Sequence, residues 1–247
     1  MLHAVKSVGA QPRLRTALAR NIAEIRAAQR LRYRVFAEEM GARVPGREQG
    51  IDCDVFDAYC DHLIVTDTAS GDVVGTYRLL NGAQARRAGG FYADQEFDLA
   101  RLDGLREHAV EAGRACIHPQ YRGGGVLAML WAGIVEYTLT RGARYLIGCA
   151  SLSLADGGAQ AAAIYRSLAA TQTAPDAFRV TPHTAWPVTA AAHGDPSLPA
   201  LLRGYRKLGA WVCGEPAWDP DFNCADLFLL LATERLDARY LQRLARG

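Results

Sequence analysis

The sequence predicts a mixed α/β fold, of the α+β kind, in which helices flank a central mixed sheet. Three observations carry this. Short β-rich runs alternate with helix-period segments, one strand-like run passes through a glycine-rich turn directly into a helix, and a late apolar run returns to complete the sheet. At 247 residues, half of them apolar, the chain can bury a sizeable core without disulfide or metal staples.

Between Thr16 and Met40 the apolar residues Leu18, Ile22, Ile25, Leu31 and Val35 recur near helical spacing with no glycine or proline, which predicts a helix broken at most once and ended by Gly41. Ala42 to Asp61 is rich in Gly and Asp, contains Pro45 and has no period, so it reads as a long ordered loop; loops of that length usually carry function. His62 to Asp67 and Asp72 to Leu80 are β-rich and joined by Thr68–Gly71, a hairpin. After a polar stretch, His108 to Ile117 is a third strand, stopped by His118 and Pro119. Beyond the glycines, Val126 to Thr140 keeps helical spacing through Leu127, Leu130, Trp131, Ile134 and Tyr137.

Arg144 to Ala150 reads as a further strand and Ala159 to Ala170 as a helix. Thr171 to Ser197 is a loop with one short strand near Phe178 to Val180. Leu198 to Leu208 is a helix, Asp226 to Ala232 a buried strand and Asp237 to Ala245 a terminal helix. No repeat divides the chain, so residues 1–247 are expected to form one domain: a helical part (16–40), a sheet core (62–170) and a C-terminal part (171–247) that completes the sheet.

No run of about 18 apolar residues exists, and the first fifteen residues lack the apolar stretch of a secretion signal. The chain is therefore expected to be cytoplasmic, with its six cysteines reduced. No Cys-x-x-Cys spacing suggests a metal site, and none is expected. The net charge is only +2, but Lys6, Arg13, Arg15, Arg20, Arg26, Arg30, Arg32 and Arg34 precede residue 35 against the single acid Glu24. That patch fits a solvated helix face, or it attracts an acidic protein or an anionic lipid surface at which the chain could dock peripherally. Few aromatics interleave with it, so nucleic acid is not an expected partner.

Arg122-Gly123-Gly124-Gly125 stands between a strand and a helix, where free N–H groups and the positive end of the helix dipole converge on one point. An anion fits there, and glycine lets a phosphate approach the backbone, although three glycines taken alone also read as a purely structural turn. Gln120-Tyr121-Arg122-Gly123-Gly124-Gly125 resembles the Arg/Gln-x-x-Gly-x-Gly/Ala acyl-donor loop of the Gcn5-related N-acetyltransferase superfamily. The resemblance implies that Ile117, Gln120, Arg122, Gly123, Gly124 and Gly125 hold the phosphate and arm of a phosphopantetheine thioester, and that no cofactor is bound apart from that donor substrate.

Charged residues recur in four segments that a plain apolar core would not tolerate unpaired: Arg32 with Phe36 one helical turn on, Asp52-x-Asp54-x-x-Asp57, Arg78 in a β-run, and Glu111-x-x-Arg114. Taken singly, Arg32, Asp54 and Arg78 also read as an ion-pair network pinning the loop to the sheet. Strand parity sends Glu111 and Arg114 to opposite faces unless a bulge intervenes, which Gly113 permits. Burial of Glu111 would raise its pKa toward neutrality and suit it to general-base work.

These segments resemble the acyl-homoserine lactone synthases in order and spacing, except that Ala42 stands where those enzymes carry a Trp. They resemble more closely the ornithine N-acyltransferases of bacterial ornithine-lipid synthesis, through Phe56-Asp57, Cys60-Asp61-His62-Leu63, Gly113 to Pro119, Leu130-Trp131, Gly148 to Leu152, Gly204 to Ala210 and Asp219 to Asp226. The implied reaction transfers a 3-hydroxyacyl group from acyl carrier protein to the α-amino group of ornithine. Glu111 and Arg114 are the expected catalytic residues, and Arg32, Phe36, Asp54, Asp57 and Arg78 the expected substrate side. Asp54 and Asp57 either take the second ammonium of ornithine or hold Arg32 and Arg78. Tyr165 is either a proton donor to the leaving thiolate or a packing residue. A lactone synthase using S-adenosylmethionine, an acetyl-coenzyme A acetyltransferase and a non-catalytic carrier- or membrane-binding module are the competing readings.

Overall fold

The structure is a computed structural model and describes residues 14–189 and 197–236. The expected terminal helix at 237–245, the sequence read for a secretion signal, and Lys6 and Arg13 lie wholly or largely outside them. The elements run β1 (Leu14–Leu18), α1 (Ile22–Tyr33), β2 (Asp61–Asp67), β3 (Val73–Asn81), α2 (Gly82–Ala88), β4 (Phe97–Asp98), β5 (Ala109–Ile117), α3 (Gly125–Thr140) and β6 (Tyr145–Ser153). They continue as α4 (Ala159–Gln172), β7 (Thr181–Pro182), α5 (Ala200–Leu208), β8 (Trp211–Val212), β9 (Ala217–Asp219) and β10 (Cys224–Ala232). Among the described residues, no helix is long and apolar enough to cross a membrane.

The main sheet has the order β1-β2-β3-β5-β6-β10-β8, with β9 also on β10, and β4 pairs with β7 separately. Among the described strands of the main sheet, β5 and β6 are the pair that runs parallel. The crossover between them is α3, as a parallel pair requires. Tyr77 and Leu79 of β3 join Leu130, Trp131 and Ile134 of α3 in the main core, whereas Arg78 and Leu80 point to the other face. There α1 lies, held through Arg32.

The start of the chain differs from the expected helix. Leu14–Leu18 is a strand paired antiparallel with Leu63–Asp67, and the helix begins only after Asn21, whose side-chain oxygen accepts from the Glu24 N–H at 3.0 Å. Helical spacing of Leu18 and Ile22 is overridden by the free edge of β2, and the Asn cap fixes the new start. After Tyr33 the helix widens into a π-helical segment, Arg34–Glu39. The short strand expected near Phe178–Val180 is displaced to Thr181–Pro182, because Asp176–Phe178 forms a single 3₁₀ turn. The hairpin, β5, α3, α4 and α5 stand within about two residues of expectation, while β6 and β10 are longer.

Candidate active site

β5 pairs with β3 from Val110 to Gly113 and resumes at Cys116 opposite Thr76, leaving Arg114 and Ala115 opposite Tyr77 alone. This is the bulge that parity requires, but its unusual backbone falls on Arg114, with φ 53, rather than on Gly113. A non-glycine residue there costs about 1–2 kcal/mol, which the surrounding ion pairs and ring contacts must offset. The re-aimed guanidinium lies 4.7 Å from the Tyr92 ring centroid and 5.1 Å from that of Phe222. Its nitrogens stand 3.4 Å from Asp52 and 3.4 Å from Asp54.

Glu111 is buried at 5% exposure on the same wall. Its carboxylate accepts the N–H of Tyr92 at 2.7 Å and of Ala93 at 2.8 Å, at the start of a 3₁₀ turn. Burial raises its pKa, the two N–H donors pull it back, and the balance is about 7. Tyr92 thereby joins the pair that Glu111-x-x-Arg114 suggested: its amide meets Glu111 and its ring meets Arg114.

Arg32, Asp57 and Arg78 form a buried lattice. Arg32 Nε is 2.8 Å from Asp52 and its Nη2 2.7 Å from Asp57, with a further short hydrogen bond to the Asp52 carbonyl. Arg78 Nη1 reaches Asp57 at 2.9 Å and Asp54 at 2.6 Å. Asp54 also caps the 3₁₀ turn Val55–Ala58 by accepting the Phe56 N–H. Burial would raise Asp57, but Arg32 and Arg78 override it and hold its carboxyl below the usual range. With Arg114 and Asp52 the lattice is three cations against three anions, so it fastens the long loop to the sheet with its charge balanced. Of the five residues expected on the substrate side, Asp54 alone lines the cavity described below; Arg32, Asp57 and Arg78 are buried behind it. Phe36 is buried as well and supports Phe222 edge-on at 5.5 Å.

β5 and β6 pair only from Ala109 to Glu111 against Tyr145 to Ile147. Past that point they diverge, and Gly148 shows why the crossing is tight: a Cβ there would collide with the Ala112 carbonyl oxygen. The strands therefore open a V whose last paired residue is Glu111. At its far end Gly124, with φ 101, precedes α3, and nothing lies within 4 Å of a Cβ placed on Gly123, Gly124 or Gly125. The glycines that open α3 are therefore uncrowded on their Cα side, which leaves room for a group to approach the helix start. Arg122 donates to the Ile117 carbonyl and pairs bidentately with Glu39 at 2.5 and 2.7 Å. Gln120 sits in the 3₁₀ turn Pro119–Tyr121 that leads there, capped by His118, which is a turn residue as expected.

A cavity of about 650 Å³ opens between the long loop, the Tyr92–Glu96 turn and the 217–222 segment, lined among others by Asp54, Tyr92, Glu96, Arg114, Asp219 and Phe222. Glu96 and Asp219 were not anticipated. Glu96 lies in a stretch without period, and it meets Asp219 and Asp226 only through the fold. Asp219, Cys224 and Asp226 bring ligand atoms within 4.8 Å of one another, a donor set able to attract a cation. The Cys149 thiol is raised well above its ordinary value, first by burial and then by the charges of Glu96 and Asp226, so it is not a thiolate nucleophile.

The acetyltransferase (GNAT) domain matches residues 31–132. The chain is 38% identical over 252 residues to the L-ornithine N(alpha)-acyltransferase of Rhizobium meliloti (strain 1021), covering 92% of this chain and 83% of that protein. It is 37% identical over 248 residues to that of Brucella abortus (strain 2308), covering 92% and 87%. Among solved structures, the AHL synthase LasI superposes with a TM-score of 0.54 at 13% identity, covering 96% of each chain. FeeM, an N-acyl amino acid synthase from uncultured soil microbes, gives 0.56 at 14% identity, covering 91% of this chain and 93% of that one. The structural likenesses establish the fold, and the sequence relatives establish the family: the chain is an acyltransferase and belongs to the L-ornithine N(alpha)-acyltransferases.

Proposed function

We propose that this protein transfers a 3-hydroxyacyl group from the phosphopantetheine thioester of acyl carrier protein to the α-amino group of L-ornithine, releasing a lyso-ornithine lipid. One observation carries the reading: β5 and β6 stop pairing just past Glu111, and β5 runs on to the uncrowded glycines Gly123–Gly125 at the start of α3. A thioester arm laid in that V extends the main-chain ladder of both strands while its phosphate meets the start of α3. Its carbonyl then lies near the apex.

Ornithine must lose one proton from its α-ammonium to become nucleophilic. Glu111, at about 7, is suited to accept it through a water, since two N–H donors leave its carboxylate spare lone pairs. The nitrogen attacks the thioester carbon, β5 main-chain N–H groups bind the oxyanion, the C–N bond forms and the C–S bond breaks. The second nitrogen proton passes to the thiolate, relayed by Glu111 or by Tyr165, which stands half-buried on α4. No acyl-enzyme is involved and no resident cofactor is invoked. Exposed Arg15, Arg20, Arg30 and Arg34 offer the acidic carrier protein, or an anionic membrane surface, its approach; Arg32 is buried and takes no part.

The test is mass spectrometry of the purified protein offered 3-hydroxyacyl carrier protein or acetyl-coenzyme A, each against a panel of amino acids and S-adenosylmethionine. Acylornithine formed from the carrier protein is the expected product. Turnover only with acetyl-coenzyme A, or consumption of S-adenosylmethionine, would reject the reading.

A further inference from the structure

Glu96 and Asp219 line the cavity and Asp226 is buried close to them, so three carboxyls cluster there without a cation at ion-pair distance among the described residues. Every other acid lining the cavity has a counter-ion: Asp54 has Arg78 and Arg114, and Asp221 has Arg43 at 2.7 Å. Among the described residues, no ion pair reaches Glu96, Asp219 or Asp226. Their neighbours are neutral or main-chain donors. Cys149 donates to Glu96, Cys224 and Ser151 to Asp226, and the Asp221 and Phe222 amides to Asp219.

A second observation points outward to a ligand. Glu96 lines the cavity, yet its Oε2 is shut away from solvent without any hydrogen-bond partner. A buried carboxyl oxygen with nothing to accept from is costly, by about 1–3 kcal/mol, and turning the Glu96 carboxyl toward a donor in the cavity removes that cost. Asp226 is 3% exposed and close enough to Glu96 to act on it; the Arg114 charge reaches Asp226 from a distance, without an ion pair. Burial raises both carboxyls first, with the Asp226 charge adding to Glu96 and the Asp219 charge to Asp226. The arrangement lacks one cationic hydrogen-bond donor.

Resting on the ornithine reading above, we infer that Glu96, backed by Asp219 and Asp226, binds the side-chain ammonium of the acceptor amino acid and selects a diamino acid over its uncharged analogues. An ammonium carries three donors, enough for the orphan Glu96 oxygen and a neighbouring carboxylate. Asp57, the sequence-level alternative for this task, is already engaged by Arg32 and Arg78, and Asp54 by Arg78. The Glu96 group is thus a specificity determinant that neither the acyl-donor motif nor the Glu111-x-x-Arg114 signature contains.

The test compares L-ornithine with L-norvaline, which keeps the carbon chain and lacks the terminal amine, using the full chain and 3-hydroxyacyl carrier protein. Wild type is expected to favour ornithine in kcat/KM by about 100-fold or more, since a site built for a polar group rejects the analogue that lacks it. Glu96→Gln should collapse that ratio below about 5-fold, mainly through the KM for ornithine, with Asp219→Asn as a second variant in case the first misfolds. Equal use of the two amines by wild type, or an unchanged ratio in both folded variants, overturns this inference alone. Wild type that acylates neither amine overturns the ornithine reading, and this inference with it.

Discussion

The backbone N–H of Tyr92 donates to Glu111 Oε2 at 2.7 Å while the Tyr92 ring lies under the Arg114 guanidinium. One residue from outside the sheet therefore fixes both members of the strand pair. The carboxylate is oriented by main-chain donors, and the cation by a π face.

Glu111→Gln should lower kcat/KM by about 100-fold or more while circular dichroism stays native. Because Glu111 sits at about 7, the wild-type rate should rise with pH through that value as the carboxylate forms, and the variant should lose that limb. The pH–rate profiles of both proteins check this; a variant with the same limb would remove Glu111 from the base role.

Asp57 has its pKa depressed by Arg32 and Arg78 after burial is overcome. A depressed carboxyl contributes stability that is fully present above its ordinary value of 3.8 and is lost as pH falls toward its native one. Urea unfolding at pH 7 and pH 3 should therefore show a fall that Asp57→Asn largely lacks, and the variant should already be weaker at pH 7 by about 3–5 kcal/mol.

Gly148→Val places a branched side chain against the Ala112 carbonyl at the apex of the V. The strands must separate to admit it, costing about 1–3 kcal/mol and displacing Glu111. Thermal melting should report the first effect, and loss of kcat in the surviving folded fraction the second.

Arg122 is engaged by Glu39. If the donor phosphate competes for that guanidinium, Glu39→Gln should lower the KM for acyl carrier protein several-fold, and Arg122→Ala should raise it by about 10-fold or more. Titrations at low and high salt check both, with the difference shrinking as salt rises.

Elements held by local signals were legible in the sequence. α3 follows from Leu127, Leu130, Trp131, Ile134 and Tyr137 in period, and β2 and β3 from β-rich runs around a four-residue turn. β1 was not, because Leu14–Leu18 is a strand only by virtue of β2 lying beside it. The two-residue strands β4, β7 and β8 likewise exist through distant partners. At the site, the need for a bulge follows from the spacing of Glu111 and Arg114 alone. Its placement on Arg114 does not, since glycine at 113 was the less strained choice. Glu96 carried no signal: its partners Asp219 and Asp226 are more than a hundred residues away and meet it only after β9 and β10 are in place.

The divergence of β5 from β6 leaves two rows of peptide groups inside the molecule without neighbours, a seam of the sheet left unsewn. A group filling it would be gripped by atoms every amino acid shares, so on the proposed reading recognition of the pantetheine backbone would be insulated from side-chain substitution. The flanking walls, and with them the tail or amine accepted, could then change without rebuilding the clasp that the proposed function gives to the thioester.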